Sequence, residues 1–200
     1  LQWYNKAVAN GDVHALCDIG LMYRCRGKNS EAMKWLLKAA EQGDTNAMYH
    51  IGDMYESGSG VKKDPSVAIQ WFLKAAEQGD ADSQVRVGLM YDMGDGVTKN
   101  NAEALKWFLK AADQGNAVAQ SCIGRMYFYG SGVPKDYSTA FKWYLKAAEN
   151  GNDYAPFTVA EMYEKGQGVE KNIDKAVYWY KKGAEKNRND CKEALKRLGY

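Results

Sequence analysis

The chain has 200 residues, 46% of them hydrophobic, and is long enough to bury a sizeable core. Its 27 basic and 25 acidic residues are interspersed and give a net charge of +2. This balance excludes a global attraction to nucleic acid or acidic lipid. The longest apolar stretches are four or five residues, so no segment is predicted to insert into a membrane.

The tryptophans reveal an internal repeat. Trp35 and the four tryptophans after it are each 36 residues apart, and Trp3 lies 32 residues before Trp35. The later members are Trp71, Trp107, Trp143 and Trp179. A period of this length is typical of stacked helical arrays. Residues shared by every copy then build the stack, so residues that differ between copies can carry a specific function.

In chain order, the repeat begins with a partial copy and ends with another. The boundaries are a half-unit at 1–12, copies at 13–44, 45–80, 81–116, 117–152 and 153–188, and a half-unit at 189–200. No Pro-rich or low-complexity linker divides this series, so we expect 1–200 to form a single domain. The partial copies indicate either a piece of a longer array or capping half-units.

Each copy is predicted to form two helices. In the copy at 45–80, apolar and small residues recur at helical spacing from Ala47 to Tyr55 and again from Ala68 to Ala76. Asp64 stands where it can cap the second helix, and Pro65 suits the first helical position. A Gly-x-Gly-Val turn links the two helices in the four full copies.

This repeating unit resembles the SEL-one-like repeat family, the longer-looped relatives of tetratricopeptide repeats. In the copy at 45–80, the residues that carry the resemblance are Ala47, Gly52, Met54, Tyr55, Gly58, Gly60, Val61, Asp64, Ala68, Trp71, Ala75, Ala76 and Gly79. The resemblance covers essentially the whole chain. It implies an all-α fold, a right-handed α-solenoid (superhelix) of antiparallel helix pairs, with about 12 helices here. It also implies an adaptor function, and some family members neutralise toxic effectors.

The sequence predicts a protein that is not an enzyme and that uses no cofactor or metal. The two histidines, His14 and His50, occupy non-equivalent repeat positions, and no metal-ligand spacing occurs. The Gly-x-Gly-Val loops lack the Lys-Ser/Thr pair of a phosphate-binding loop. The sequence contains no Gly-x-Ser-x-Gly element or recognisable Ser/His/Asp arrangement.

The cysteines bear on the compartment. Cys17, Cys25, Cys122 and Cys191 do not occupy equivalent repeat positions. The secreted cysteine-rich branch of the family carries paired cysteines in every unit, which weighs against that branch and its penicillin-binding activity. Unpaired thiols and the lack of an Asn-x-Ser/Thr sequon favour the cytoplasm. The compartment stays open, because a signal peptide can lie outside this segment.

A partner is expected on the concave surface, which the first helix of each pair lines in tetratricopeptide repeats. The candidate contact residues are Tyr49, Asp53, Glu56, Asp82, Leu89, Asp92, Arg125, Phe128, Tyr129, Tyr154, Phe157 and Glu161. The copies at 45–116 contribute Asp53, Glu56, Asp82 and Asp92, and those at 117–188 contribute Phe128, Tyr129, Tyr154 and Phe157. This arrangement suits an extended segment with basic residues at one end and apolar anchors at the other. Alternatively, the acids form a solvated face and some aromatics pack neighbouring helices.

The predicted function is therefore a scaffold or adaptor that binds another protein or a peptide segment, with an unspecified oligomeric state. One alternative is an inhibitor or immunity protein that neutralises a toxic effector. A remote alternative is a hydrolase active on cell-wall-type substrates, which needs a converging nucleophile and base.

Overall fold

The computed structural model describes residues 13–200, and this part of the chain contains eleven α-helices and no strand. The half-unit predicted at 1–12 lies outside the described residues. The chain forms two compact units, and the boundary between them lies between Asn100 and Asn101. The all-α fold of successive, mutually packed helices that the repeat predicted is confirmed.

The first unit contains five helices. They are α1 (Val13–Cys25), α2 (Asn29–Glu41), α3 (Thr45–Ser57), α4 (Pro65–Glu77) and α5 (Ala81–Met93). Within this unit each helix packs against the next one along the chain. The helices α1, α3 and α5 are the first helices of their copies, and α2 and α4 are the second helices.

The second unit contains six helices. They are α6 (Asn101–Asp113), α7 (Ala117–Tyr129), α8 (Tyr137–Glu149), α9 (Ala155–Lys165), α10 (Ile173–Glu185) and α11 (Asn189–Arg197). Each again packs against its successor within the unit. Here α7, α9 and α11 are the first helices of their copies, and α6, α8 and α10 are second helices.

Side-chain caps fix where the helices begin, as the sequence predicted. The Asp64 carboxylate accepts hydrogen bonds from the backbone N–H groups of Ser66 at 3.1 Å and Val67 at 3.2 Å, and α4 begins at Pro65. Hydrogen bonding, first from the Ser66 hydroxyl and then from the Val67 N–H, lowers the pKa of Asp64. Asp136 caps α8 in the same way.

The second glycine of the Gly-x-Gly-Val turn is required by a neighbouring copy. Gly60 has a φ of +79°, and a Cβ built on it would lie 2.3 Å from Cβ of Asn29, the first residue of α2. Gly132 approaches Asn101, the first residue of α6, with a corresponding distance of 2.5 Å. The turn thus lies directly on the second helix of the preceding copy, and a side chain at this glycine would push the two apart.

A second close approach joins the two helices of the pairs α3–α4 and α7–α8. A Cβ on Gly52 of α3 would lie 2.7 Å from Cε1 of Phe72 in α4. In the second unit, a Cβ on Gly124 of α7 would lie 3.0 Å from the Tyr144 ring of α8. Both rings are buried, so the backbone of the first helix rests on the ring of the second helix.

We expect Gly52→Ala to lower the free energy of unfolding. Overpacking a core typically costs about 1–3 kcal/mol, whereas alanine gains about 1 kcal/mol of helix propensity over glycine. Because the Cβ at Gly52 would overlap Phe72, the net change should be a loss of about 1–2 kcal/mol. Urea unfolding followed by circular dichroism measures it.

The matched control is Gly124→Ala, whose nearest ring atoms lie farther away, at 3.0–3.1 Å. Its unfolding free energy should change by less than that of Gly52→Ala. Equal losses in the two variants, or a more stable Gly52→Ala protein, would contradict the packing argument.

Candidate functional site

Two of the predicted acidic contact residues form ion pairs between copies. Arg24 of α1 pairs with Asp53 of α3, and Arg86 of α5 pairs with Glu56 of α3. All four side chains are half-buried. These arginines neutralise both carboxylates, so the acids join neighbouring first helices and offer less charge to a basic partner than the sequence predicted.

This pairing follows the register of the repeat. Glu56 lies four residues after the glycine of its first helix, and Arg86 lies two residues before the glycine of the next. The two positions are therefore thirty residues apart in sequence. Opposite charges at that separation are a signal in the sequence, but a comparison of equivalent repeat positions does not reveal it.

The other candidates in the first unit differ in exposure. Tyr49 is half-buried, with its ring 5.5 Å from that of Phe72 and 5.4 Å from that of His50. Burial raises the pKa of Tyr49. Asp82 is exposed and Leu89 is half-buried.

The burial of Asp92 contradicts the expectation that it lies on the accessible surface. This residue is only 8% exposed. It occupies the same register position as Glu56, and in that copy the side chain turns toward a neighbouring helix. Asp92 is therefore not part of an accessible contact surface.

The predicted aromatic residues of the second unit fall into two groups. Phe128 is half-buried, and its ring lies 4.9 Å from that of Tyr137 and 5.1 Å from that of Tyr129. Tyr129 and Tyr154, by contrast, are each 68% exposed. Phe128 therefore packs between helices, whereas the two tyrosines present most of their surface to solvent.

The remaining candidate contact residues lie on α7 and α9. Arg125 is exposed on α7. Phe157 and Glu161 are half-buried on α9, where the Phe157 ring lies 5.7 Å from that of Tyr180 and Glu161 accepts a hydrogen bond from Lys165 at 2.6 Å.

The helix α9 begins two residues later than the first helices of the other full copies. The equivalent of Ala117 is Asp153, but α9 begins only at Ala155. Pro156 explains the shift, because proline lacks an N–H group and is tolerated in the first turn of a helix. The repeat pattern alone does not predict this shift.

A cavity of about 400 Å³ lies between the start of α7 and the loop before α9, and we call it the α7–α9 cavity. Val118, Ser121 and Cys122 line it from α7, and Asp153 and Tyr154 line it from the loop. Val118 is 48% exposed, so its wall carries accessible apolar surface. Copies 45–80 and 81–116 have Asn46 and Asp82 where Val118 stands, so this apolar wall is specific to the fourth copy.

Hydrogen bonds hold the loop that closes this cavity. The Asn152 side chain accepts from the backbone N–H groups of Tyr154 and Ala155, both at 2.9 Å, and donates to the carbonyl of Ala117 at 3.3 Å. The Lys186 ammonium donates to the Gly151 carbonyl at 2.8 Å. The cavity wall is thus tied both to α7 and to the end of α10, which favours a preformed shape.

A second cavity of about 430 Å³ lies between α9 and α11, and we call it the α9–α11 groove. Its lining includes Phe157, Glu161 and Glu193. Glu164 also lines it and accepts hydrogen bonds from both terminal nitrogens of Arg197, at 2.7 and 2.8 Å. These bonds, above all, lower the pKa of Glu164.

Cys17, Cys25, Cys122 and Cys191 form no disulfide. Cys17 and Cys191 are buried, and burial raises the pKa of Cys17 to about 12 and that of Cys191 to about 11. Residues 13–200 contain no group of three or more His, Cys, Asp or Glu side chains that could hold a metal ion. In the same part of the chain, every helix is too short or too polar to span a bilayer.

These stacked pairs define an α-helical repeat protein. The model of the Sel1 repeat matches residues 1–12, 13–44, 45–80, 81–116, 117–152 and 157–187. The chain therefore belongs to the Sel1 repeat family, whose fold is a helical scaffold. No curated protein matches the chain.

Solved structures agree with this assignment. A protective antigen of uropathogenic Escherichia coli with an SLR fold is 39% identical, with a TM-score of 0.86, and the match covers 92% of this chain and 40% of that one. A Sel1 repeat protein from Oxalobacter formigenes is also 39% identical, with a TM-score of 0.80, and the match covers 88% of this chain and 72% of that one. The chain thus spans less than half of the first of these proteins.

A third solved structure is more distant. It is an immunity protein from Pseudomonas aeruginosa that is 25% identical to the chain, with a TM-score of 0.53. The match covers 81% of this chain and 59% of that one.

We expect the Glu164–Arg197 pair to make stability depend on pH. Because the folded-state pKa of Glu164 is lowered from 4.5, its contribution is fully present above that value and is lost as the pH falls through the lowered pKa. Glu164→Gln should therefore unfold at a lower urea concentration than the parent at pH 7, and the gap should narrow as the pH falls below 4.5.

Glu193→Gln is the control, because Glu193 lines the same groove on the exposed side of α11. Its unfolding midpoint should stay close to that of the parent both at pH 7 and in the acid range. A gap for Glu164→Gln that persists unchanged at low pH would show that the ion pair is not its source.

Proposed function

We propose that this chain is a non-catalytic scaffold that binds an extended segment of another protein. The contact surface is the first-helix face of the second unit, formed by the solvent-facing residues of α7 and α9. This is the surface that the repeat pattern predicts to be concave. The observation that carries the proposal is the exposure of two tyrosines, Tyr154 beside a preformed cavity and Tyr129 at the other end of α7.

The geometry of this face suits an extended segment. Tyr154 and Val118 line the cavity near the start of α7, and Tyr129 is the last residue of that helix. Eleven residues of helix separate Val118 from Tyr129, which corresponds to roughly 16 Å. An extended segment covers that length with about five residues. Exposed tyrosines are typical hot-spot residues, because each buries a large rigid ring and keeps a polar hydroxyl.

Charge supports the second unit over the first as the main contact. The acids Asp53 and Glu56 are neutralised by arginines of the same unit, and Asp92 is buried. Their role in binding a basic partner is therefore smaller than their number predicts. Copy-specific apolar residues carry the proposal instead.

Burial of the thiols supports a function without catalysis. A nucleophilic cysteine works as the thiolate, and the raised pKa values keep Cys17 and Cys191 protonated at neutral pH. A hydrolase would need one activated nucleophile beside a base, and neither of these thiols meets that requirement.

A second candidate function is the neutralisation of a toxic effector. It is favoured by the likeness to the Pseudomonas aeruginosa immunity protein. On this hypothesis the partner is an enzyme, and one equivalent of this chain abolishes its activity. An adaptor, in contrast, leaves its partner active, so an activity assay on the captured partner separates the two.

We expect the double variant Tyr129→Ala, Tyr154→Ala to lose its partner. Each truncation at a hot spot costs about 2 kcal/mol, so the retained amount should fall by well over tenfold in affinity capture from the cells that produce the protein. Helicity should not change, because both side chains are mostly exposed.

Tyr178→Ala is the matched control. Tyr178 is also an exposed tyrosine, at 54%, but lies on the second helix α10. The control should retain the partner as the parent does. Undiminished capture by the double variant, or equal loss in the control, would refute the assigned face.

A further inference from the structure

We propose that the α7–α9 cavity receives one large apolar side chain of the bound segment, and that a lysine or arginine about three residues away enters the α9–α11 groove. This inference rests on the proposed function and specifies the chemistry of the partner.

The α7–α9 cavity has the properties of an anchor pocket. Tyr154 on one wall is 68% exposed and Val118 on the other is 48% exposed, and both line the same cavity of about 400 Å³. That volume accommodates a leucine or aromatic side chain, and covering these two side chains removes apolar area from water. The hydrogen bonds of Asn152 hold the walls before a ligand arrives, which lowers the entropy cost of binding.

The α9–α11 groove determines which residue should lie next to that anchor. Four acids line it, Glu161, Glu164, Asp190 and Glu193, against the cations Lys165 and Arg197. Three of the acids pair within the protein, with Lys165, Arg197 and Arg188. Among residues 13–200, no ion pair involves Glu193, which is exposed. An incoming cation would meet this carboxylate and the ring of Phe157.

The spacing follows from the helix that separates the two cavities. Tyr154, the last residue of the loop before α9, lines the α7–α9 cavity, and Phe157, three residues later in the first turn of α9, lines the α9–α11 groove. Crossing a helix means covering about 10 Å, which three residues of an extended chain do. The structure leaves the direction of the segment free, so the basic residue can precede or follow the apolar one.

A phage-displayed library of random dodecapeptides, selected on the immobilised full chain, tests this inference. We expect enrichment of peptides in which a large apolar residue and a lysine or arginine lie two to four positions apart. Affinities of the synthetic peptides are then measured by fluorescence anisotropy. Val118→Asp installs the residue of the third copy at an exposed site, and Ser121→Trp fills the cavity. Each should weaken binding about tenfold or more.

Two further variants separate the two halves of the inference. Glu193→Lys should weaken the binding of peptides that carry the basic residue about threefold or more, and should not weaken the binding of peptides that lack it. A double-mutant cycle between Glu193 and the basic residue of the peptide measures this coupling. Lys142→Trp places an equally large ring on the exposed face of α8 and should leave the affinity unchanged.

The outcomes also distinguish this inference from the proposed function. Peptides that lack the spacing, or that bind Val118→Asp and Ser121→Trp as tightly as the parent, overturn the pocket assignment. The proposed function still stands if those peptides lose affinity for the double tyrosine variant. Peptides indifferent to the tyrosines as well, or a selection that enriches nothing, contradict both.

Discussion

The contact between a first-helix glycine and a second-helix ring is the constraint on which two of the helix pairs, α3–α4 and α7–α8, depend. At Gly52 and Gly124 the missing Cβ lets the backbone rest on Phe72 or Tyr144. The ring fills the space that a side chain would otherwise occupy, so the pair buries its apolar stripe without a void. Because this contact uses the inward face of the first helix, the outward face is free to vary between copies.

That freedom is used in two ways. Where the outward face turns toward the next first helix, variation produces complementary charges, as in Glu56 with Arg86 and Glu164 with Arg197. Where it turns toward solvent, variation leaves exposed side chains, as at Val118 and Tyr154, which we propose contact a partner. The same repeat thus separates side chains that stabilise neighbouring helices from side chains that are available for recognition.

Much of the fold could be predicted from the sequence because the same capping, turn and packing residues recur in successive copies. Asp64 and Pro65 mark a helix start by capping and by a fixed φ, and α4 begins there. The turn glycines were also predicted. The tertiary reason for the second glycine, its approach to Asn29 in the preceding copy, required the packed structure.

The candidate site was harder to predict, since exposure depends on the neighbouring copy. Asp82 and Asp92 are both predicted contact residues on α5, but Asp82 is exposed and Asp92 is buried. Phe128 packs among tyrosines, whereas the adjacent Tyr129 is exposed. The helix that follows Tyr154, α9, begins two residues late because of Pro156, and the pattern shared by the other copies does not predict that delay.

The most direct test of the account is to map a bound partner segment by amide chemical shifts in ¹⁵N-labelled protein. We expect the largest shifts to cluster at the start of α7, in the loop before α9 and at the first turn of α9. Shifts confined to the second helices α6, α8 and α10 would contradict this account, because the segment would then bind outside the first-helix face.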